Sequence, residues 1–142
     1  MGCLPSALEA ALAPITIIAG HYGAGKTNLS VNLALDLVRD RRAVTLVDLD
    51  IVNPYFRASE QRGLLEQAGV HLVAPVFSEA GTSLDVPSLT GAIMPALEDA
   101  DDEHLVIVDL GGDDAGATAL GRFSRVVQAH SHAMLYVLNR HR

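Results

Sequence analysis

An apolar, β-branched run that passes directly into a glycine-rich turn ending in Lys-Thr leaves few folds open, and residues Pro14 to Thr27 read PITIIAGHYGAGKT. Gly20, Gly25, Lys26 and Thr27 satisfy the phosphate-loop pattern G-x-x-x-x-G-K-[ST], whose residue types each do something physical. Glycine lets the backbone take positive φ and approach a ligand closely, so successive N–H groups turn onto phosphate oxygens. Lys26 is expected to bridge β- and γ-phosphates, with its ammonium facing solvent when no ligand is bound. The Thr27 hydroxyl is expected to ligate Mg2+, and the helix beginning there adds its positive dipole end. Ile15, Thr16, Ile17 and Ile18 before the turn and a helical pattern after it supply the context that separates this motif from a chance match.

Downstream, Asn28 to Arg39 has the wide apolar face of a helix pressed onto a sheet. Ala43 to Leu49, AVTLVDL, is a strand-length apolar run suited to a parallel sheet covered on both faces. Strand, helix and strand make a βαβ unit. The second strand runs out into DLDIVNPYFR, bringing Asp48, Asp50 and Arg57 to a carboxyl edge, where open parallel sheets bind ligands. Asp50 either holds a Mg2+-bound water or orients an attacking water; it equally suits capping of a turn before Pro54. Arg57 suits either bidentate contact with phosphate or a solvated helix position.

Arg57 to Gln67 reads as helix stopped by Gly69, and Val70 to Val76 as a short strand. A helix from Ser88 to Ala100 follows, in which Pro95 should introduce a kink or a break. Glu98, Asp99, Asp101, Asp102 and Glu103 scatter over a helix end and a loop, as a solvated turn does. His104 to Leu110, HLVIVDL, delivers Asp109 at its carboxyl end before Gly111-Gly112, the form of a Walker B strand. Paired with the phosphate loop, Asp109 is expected to reach a Mg2+ water. Asp113 and Asp114 are read as caps of a helix from Ala115 to Phe123. Ala133 to Leu138 closes the series as a strand, apolar on both faces and hence expected in the sheet interior. Asn139 after it suits contact with a nucleotide base or a turn. Six histidines lack helix-spaced carboxylate partners and read as surface residues.

Composition sets outer bounds. The 142 residues, 49% apolar, suffice for one α/β domain with a real core. A formal net charge of -7 without a basic block argues against direct nucleic-acid binding and against an anionic membrane surface. The single Cys3 leaves no internal disulfide or CxxC zinc framework, so a reducing, cytoplasmic setting is the simplest expectation. Residues 1–13 read as an N-terminal extension with Leu4, Leu8 and Leu12 at helical spacing. MGCLPS formally matches a myristoylation pattern, but no basic cluster backs it.

These residues resemble the ParA/MinD-like branch of phosphate-loop ATPases, with a CobQ/CobB/MinD/ParA-type nucleotide-binding domain, from Ile15 onward. GHYGAGKT looks like that family's deviant Walker A, with Gly20, Gly23, Ala24, Gly25, Lys26, Thr27 and Asn28 in the phosphate-binding positions. Asp50 falls on its switch I aspartate, Asp109 on its Walker B aspartate and Asn139 on its base-contacting asparagine. The resemblance implies a three-layer, doubly wound α/β fold with a mostly parallel sheet. It further implies ATP with Mg2+, Lys26 and Asp50 as catalytic residues, Thr27, Asp50 and Asp109 around the metal, and slow ATPase activity used as a switch. A small-molecule kinase or ATP-dependent ligase and a non-catalytic nucleotide-binding module are the alternatives.

Two departures bear on partners. His21 stands where the family's dimer-bridging loop lysine falls, and DLGGDD lacks the switch II proline, so a homodimer is implied less directly than nucleotide; a protein partner is not identified. The resemblance also implies that 14–142 is a phosphate-loop domain incomplete at its C-terminus. Uncovered, Ala133 to Leu138 should then expose an apolar surface, and adenine should be poorly distinguished from guanine. A folded-back N-terminal helix is the competing expectation.

Overall fold

The computed structural model describes residues 12–20, 25–40, 43–49, 62–73, 93–111 and 121–138. In chain order these give β1 (Ile15–Gly20), α1 (Lys26–Arg39), β2 (Ala43–Leu49), α2 (Arg62–Ala68), β3 (His71–Val73), α3 (Ile93–Glu98), β4 (His104–Leu110), α4 (Ser124–Ala129) and β5 (His132–Val137). The five strands form one sheet in the order β3-β2-β4-β1-β5, and every pairing is parallel.

Alternation along the strands sorts side chains into two cores. Ile15, Ile17 and Ala19 of β1 pack with Val106, Val108 and Leu110 of β4 under α3 and α4, where Ile93, Leu97 and Val127 meet them. Ile18, Val44, Leu46, Leu105 and Ile107 point the other way, under Val31, Leu33, Ala34 and Leu37 of α1 and Leu65 of α2. Helices on both faces of a parallel sheet make three layers, as the sequence implies. Burying each of the larger side chains contributes on the order of 1.5–3 kcal/mol relative to exposure.

β1 and β2 do not pair directly, because β4 lies between them. The chain leaving β1 therefore crosses one way to β2, whereas the chain leaving β4 crosses the other way to β5. Such a reversal opens a crevice at the carboxyl ends of the two central strands. Gly20 and Asp109 stand at those ends, with Ile18 and Asp109 in register.

Among the described residues β5 pairs with β1 alone, and Met134, Tyr136 and Leu138 are exposed, the apolar surface that the sequence reading expected there. An apolar pattern on both faces specifies what a strand prefers to meet, not how many strands flank it. α4 begins at Ser124, beyond Phe123 where the preceding helix was expected to stop, and Val127 anchors it to the core. Pro95 is the third described residue of α3, which ends at Glu98, and the expected start of that helix at Ser88 lies outside the described residues. Residues 1–11, 57–61, 74–76, 88–92 and 112–120, on which parts of the expected elements fall, lie outside the described residues.

Candidate nucleotide site

α1 starts where the phosphate loop ends. Gly25 caps it with φ +97°, a left-handed conformation suited to glycine, and the Leu29 N–H donates to the Gly25 carbonyl at 3.0 Å. The first turn carries no acidic residue, so the positive end of a 14-residue helix has no carboxylate of its own in that turn. Gly20, the last residue of β1, is fixed by close approach: a Cβ there would lie 2.6 Å from the Val137 carbonyl oxygen of β5 and 3.4 Å from Lys26 Cγ.

That second distance places the Lys26 stem against the loop. Lys26 is 5% exposed, which corrects the expectation of a solvent-facing ammonium. Its methylenes lie against the glycine, the way long cationic side chains bury their stems. Among the described residues the ion pair formed is Arg39 with Asp36, at 3.5 Å, so Lys26 has no carboxylate partner there. A buried cation without a counter-charge is costly, and an anion entering the loop would offset that cost.

Thr27, 9% exposed, turns its hydroxyl inward and donates from Oγ1 to Asp109 Oδ2 at 2.8 Å. This bond joins the first turn of α1 to the end of β4 across 82 residues of sequence. A hydroxyl and a carboxylate are hard oxygen donors, the kind Mg2+ takes one or two of when it also binds phosphates. The pair would suit a Mg2+ that takes its remaining ligands from phosphate and water; among the described residues no group of three His, Cys, Asp or Glu side chains gathers.

Asp48 is the residue that sequence reasoning underused. It lies directly beside Asp109 in the β2–β4 register, and both are buried, at 1% and 0% exposure. Val44 and Leu46 face α1, so the two-residue strand period puts Asp48 on that face too. That period is the signal from which its position could have been read. Full charges on neighbouring strands, about 5 Å apart, would repel by roughly 3 kcal/mol at an effective dielectric near 20.

Of the remaining expected site residues, Asn28 is exposed on α1. Gly23, Ala24, Asp50 and Asn139 lie outside the described residues, as do His21 and Arg57. The described histidines are spread rather than gathered. The His104 ring contacts Thr45 Oγ1 at the opposite end of the sheet, His130 bridges the Val126 and Glu98 carbonyls, and His132 is exposed. Glu98, Asp99, Asp101, Asp102 and Glu103 are all exposed, and Asp101 Oδ1 accepts from the Glu103 and His104 N–H groups in a turn.

Comparison with known proteins agrees with this geometry. The family described as the CobQ/CobB/MinD/ParA nucleotide binding domain matches residues 15–142. Among solved structures, the cell division protein FtsY from Thermotoga maritima is similar, with a TM-score of 0.56 and 22% identity. The similarity covers 90% of this chain and 45% of that one, so this chain spans less than half the length of its neighbour. At that identity the likeness is one of fold. No curated protein sequence matches the chain.

Proposed function

Since the chain belongs to the CobQ/CobB/MinD/ParA nucleotide-binding domain family, we propose that it binds ATP with Mg2+ and hydrolyses it slowly, as a nucleotide-controlled switch. The observation that carries the reading is Lys26, more than nine-tenths buried beside Gly20 and without an ion-pair partner among the described residues. A triphosphate supplies the missing negative charge.

In this reading the backbone N–H groups from Gly20 through Asn28 cradle the phosphates, with Gly23 and Ala24 in the turn, and Lys26 bridges the β- and γ-oxygens. Thr27 and Asp109 hold the cation, the hydroxyl directly and the carboxylate directly or through water. When bound, Mg2+ neutralises charge developing on the β,γ-bridging oxygen as the γ-phosphoryl group leaves. Asp50 orients the attacking water, and Asn139 meets the base. Hydrolysis consumes one water and yields ADP and inorganic phosphate, a reaction in which the protein's contribution is positioning and electrostatics. Homodimerisation driven by ATP is common to such switches, and His21 in the loop bears on whether this chain does so.

Two experiments test the reading. Phosphate release from ATP should be slow, dependent on Mg2+ and strongly reduced by Asp50→Ala, which leaves ATP affinity nearly unchanged because water orientation acts in the transition state. Phosphate appearing on an added metabolite would replace the switch with a kinase or ligase; tight binding without turnover would replace it with a binding module. His21→Lys is the companion variant, and a gain of ATP-dependent self-association would identify the histidine as what limits dimer formation.

A further inference from the structure

On the side of the sheet that carries α1, β5 is the strand covered least among those described. Ile18, Val44, Leu46, Leu72, Leu105 and Ile107 on that side are buried. Leu135 and Val137, packed at the margin of the same cluster, are only half-buried, although Leu135 stands in register with Ile18. Leu12, the first described residue, also packs against this cluster. The chain therefore reaches β1 from the α1 side. Thr16 holds it in that approach, its hydroxyl donating to the Ala13 carbonyl at 3.1 Å and accepting from the Ala13 N–H at 3.2 Å. The sequence before Leu12 has the make-up to cover the margin. Ser6-Ala-Leu-Glu9 has the form of a capping box, Leu4, Leu8 and Leu12 recur one turn apart, and Pro14 suits the point just past a helix end. So short a helix is marginal alone in water and needs an apolar face to lie on.

We propose that residues 4–11 form a helix that docks on the α1 side of β5, with Leu8 over Leu135 and Leu4 toward Val137. The connection to β1 through Ala13 and Pro14 is short, so the helix turns back over the sheet rather than leaving it. Its length fits: Leu4 to Leu12 rises about 12 Å, against about 13 Å for Ala133 to Val137 along β5. The occupant is this chain's own N-terminal segment, and the contact is independent of the nucleotide site. Met134 and Tyr136 stay open, because their β1 partners Ile17 and Ala19 belong to the core on the opposite side. Docking also sets Cys3 near the carboxyl end of β5, where Val137 pairs with Gly20.

Cys3 is the single cysteine, so a nitroxide spin label attaches there without any substitution. In NMR spectra of the labelled chain, the methyl signals of Leu135 and Val137 should lose more intensity than that of Met134, and reduction of the nitroxide should restore them. Leu8→Asp puts a charge on the docking side of the helix and should abolish the loss while the Leu46 and Ile107 methyl signals stay in place. Leu8→Met, which keeps an apolar side chain of similar volume, should retain it. Loss at none of the three methyl groups overturns the proposal, as does a stronger loss at Met134 than at Leu135 and Val137. A loss of equal size in Leu8→Asp overturns it too, since an apolar contact cannot then be what holds the segment. So does an undiminished loss in isotope-labelled chain that carries no nitroxide, mixed with spin-labelled chain, because the segment on β5 would then come from a second copy.

Discussion

Gly20 and Gly25 serve the same loop for different reasons, and substitution should separate them. A methyl group on Gly20 would meet the Val137 carbonyl at 2.6 Å, with backbone on both sides of the contact and no flexible side chain to move away. Gly20→Ala should therefore cost about 2–4 kcal/mol by forcing β1 and β5 apart. A methyl group on Gly25 meets nothing within 4 Å, so Gly25→Ala should cost only the left-handed backbone conformation, about 1–2 kcal/mol. Denaturant titration ranks the two, and a Gly25→Ala loss equal to or above that of Gly20→Ala would contradict the close-approach argument. Thr27 offers a third case. Thr27→Ala removes the donor to a buried carboxylate and should lower stability by about 1.5–3 kcal/mol, whereas Thr27→Ser keeps the hydroxyl and should stay within about 1 kcal/mol of the parent. Equal losses by thermal or chemical unfolding would mean that the methyl group, not the hydrogen bond, stabilises the link between α1 and β4.

Among the elements, β5 carries the apolar face that most stands out from the surface. Met134 is 56% and Tyr136 55% exposed, on the same side of the sheet as Ile17 and Ala19, their partners in β1. The double variant Met134→Lys, Tyr136→Lys should bind less of a fluorescent dye for apolar surface, and its unfolding midpoint should change little, because neither side chain is in the core. Dye binding that survives the double change would put the apolar surface elsewhere. The runs 43–49 and 104–110 were readable to the residue, since a strand buried on both faces needs an unbroken apolar stretch and the structure gives β2 and β4 those bounds. The same rule read Ala133 to Leu138 as a strand that prefers to be covered, and the exposure of Met134, Tyr136 and Leu138 is what was expected of it uncovered. α4 escaped notice because SRVVQA carries one buried anchor, Val127, too little for a helical period to register. At the candidate site, the motif pointed to Gly20, Gly25, Lys26 and Thr27 and the strand end to Asp109, and the structure brings Lys26 against Gly20 and Thr27 against Asp109. What the motif could not supply was the burial of Lys26 or the pairing of Asp48 with Asp109, both of which depend on how β1, β2 and β4 lie side by side.

For the whole molecule, the sheet order is what turns separate motifs into a site. With β4 between β1 and β2, the loop after β1 and the carboxylate at the end of β4 share one crevice, and α1 aims its N-terminus at it. The chain is acidic overall, at -7, yet this crevice holds a buried lysine without a carboxylate partner among the described residues. The crevice therefore combines one buried cation at the loop with the Asp48 and Asp109 carboxylates at the strand ends, an arrangement suited to a small polyanion that brings its own cation. Lys26→Met keeps the stem against Gly20 and removes only the charge, so it isolates this point. Isothermal titration of ATP in Mg2+ buffer, with the parent and Lys26→Met compared at matched thermal stability, tests it most directly. The account predicts saturable binding of about one ATP per chain, an affinity loss of a hundredfold or more in Lys26→Met, and an unfolding midpoint in the absence of ATP equal to or above the parent's. Equal ATP affinity in the two proteins would contradict it.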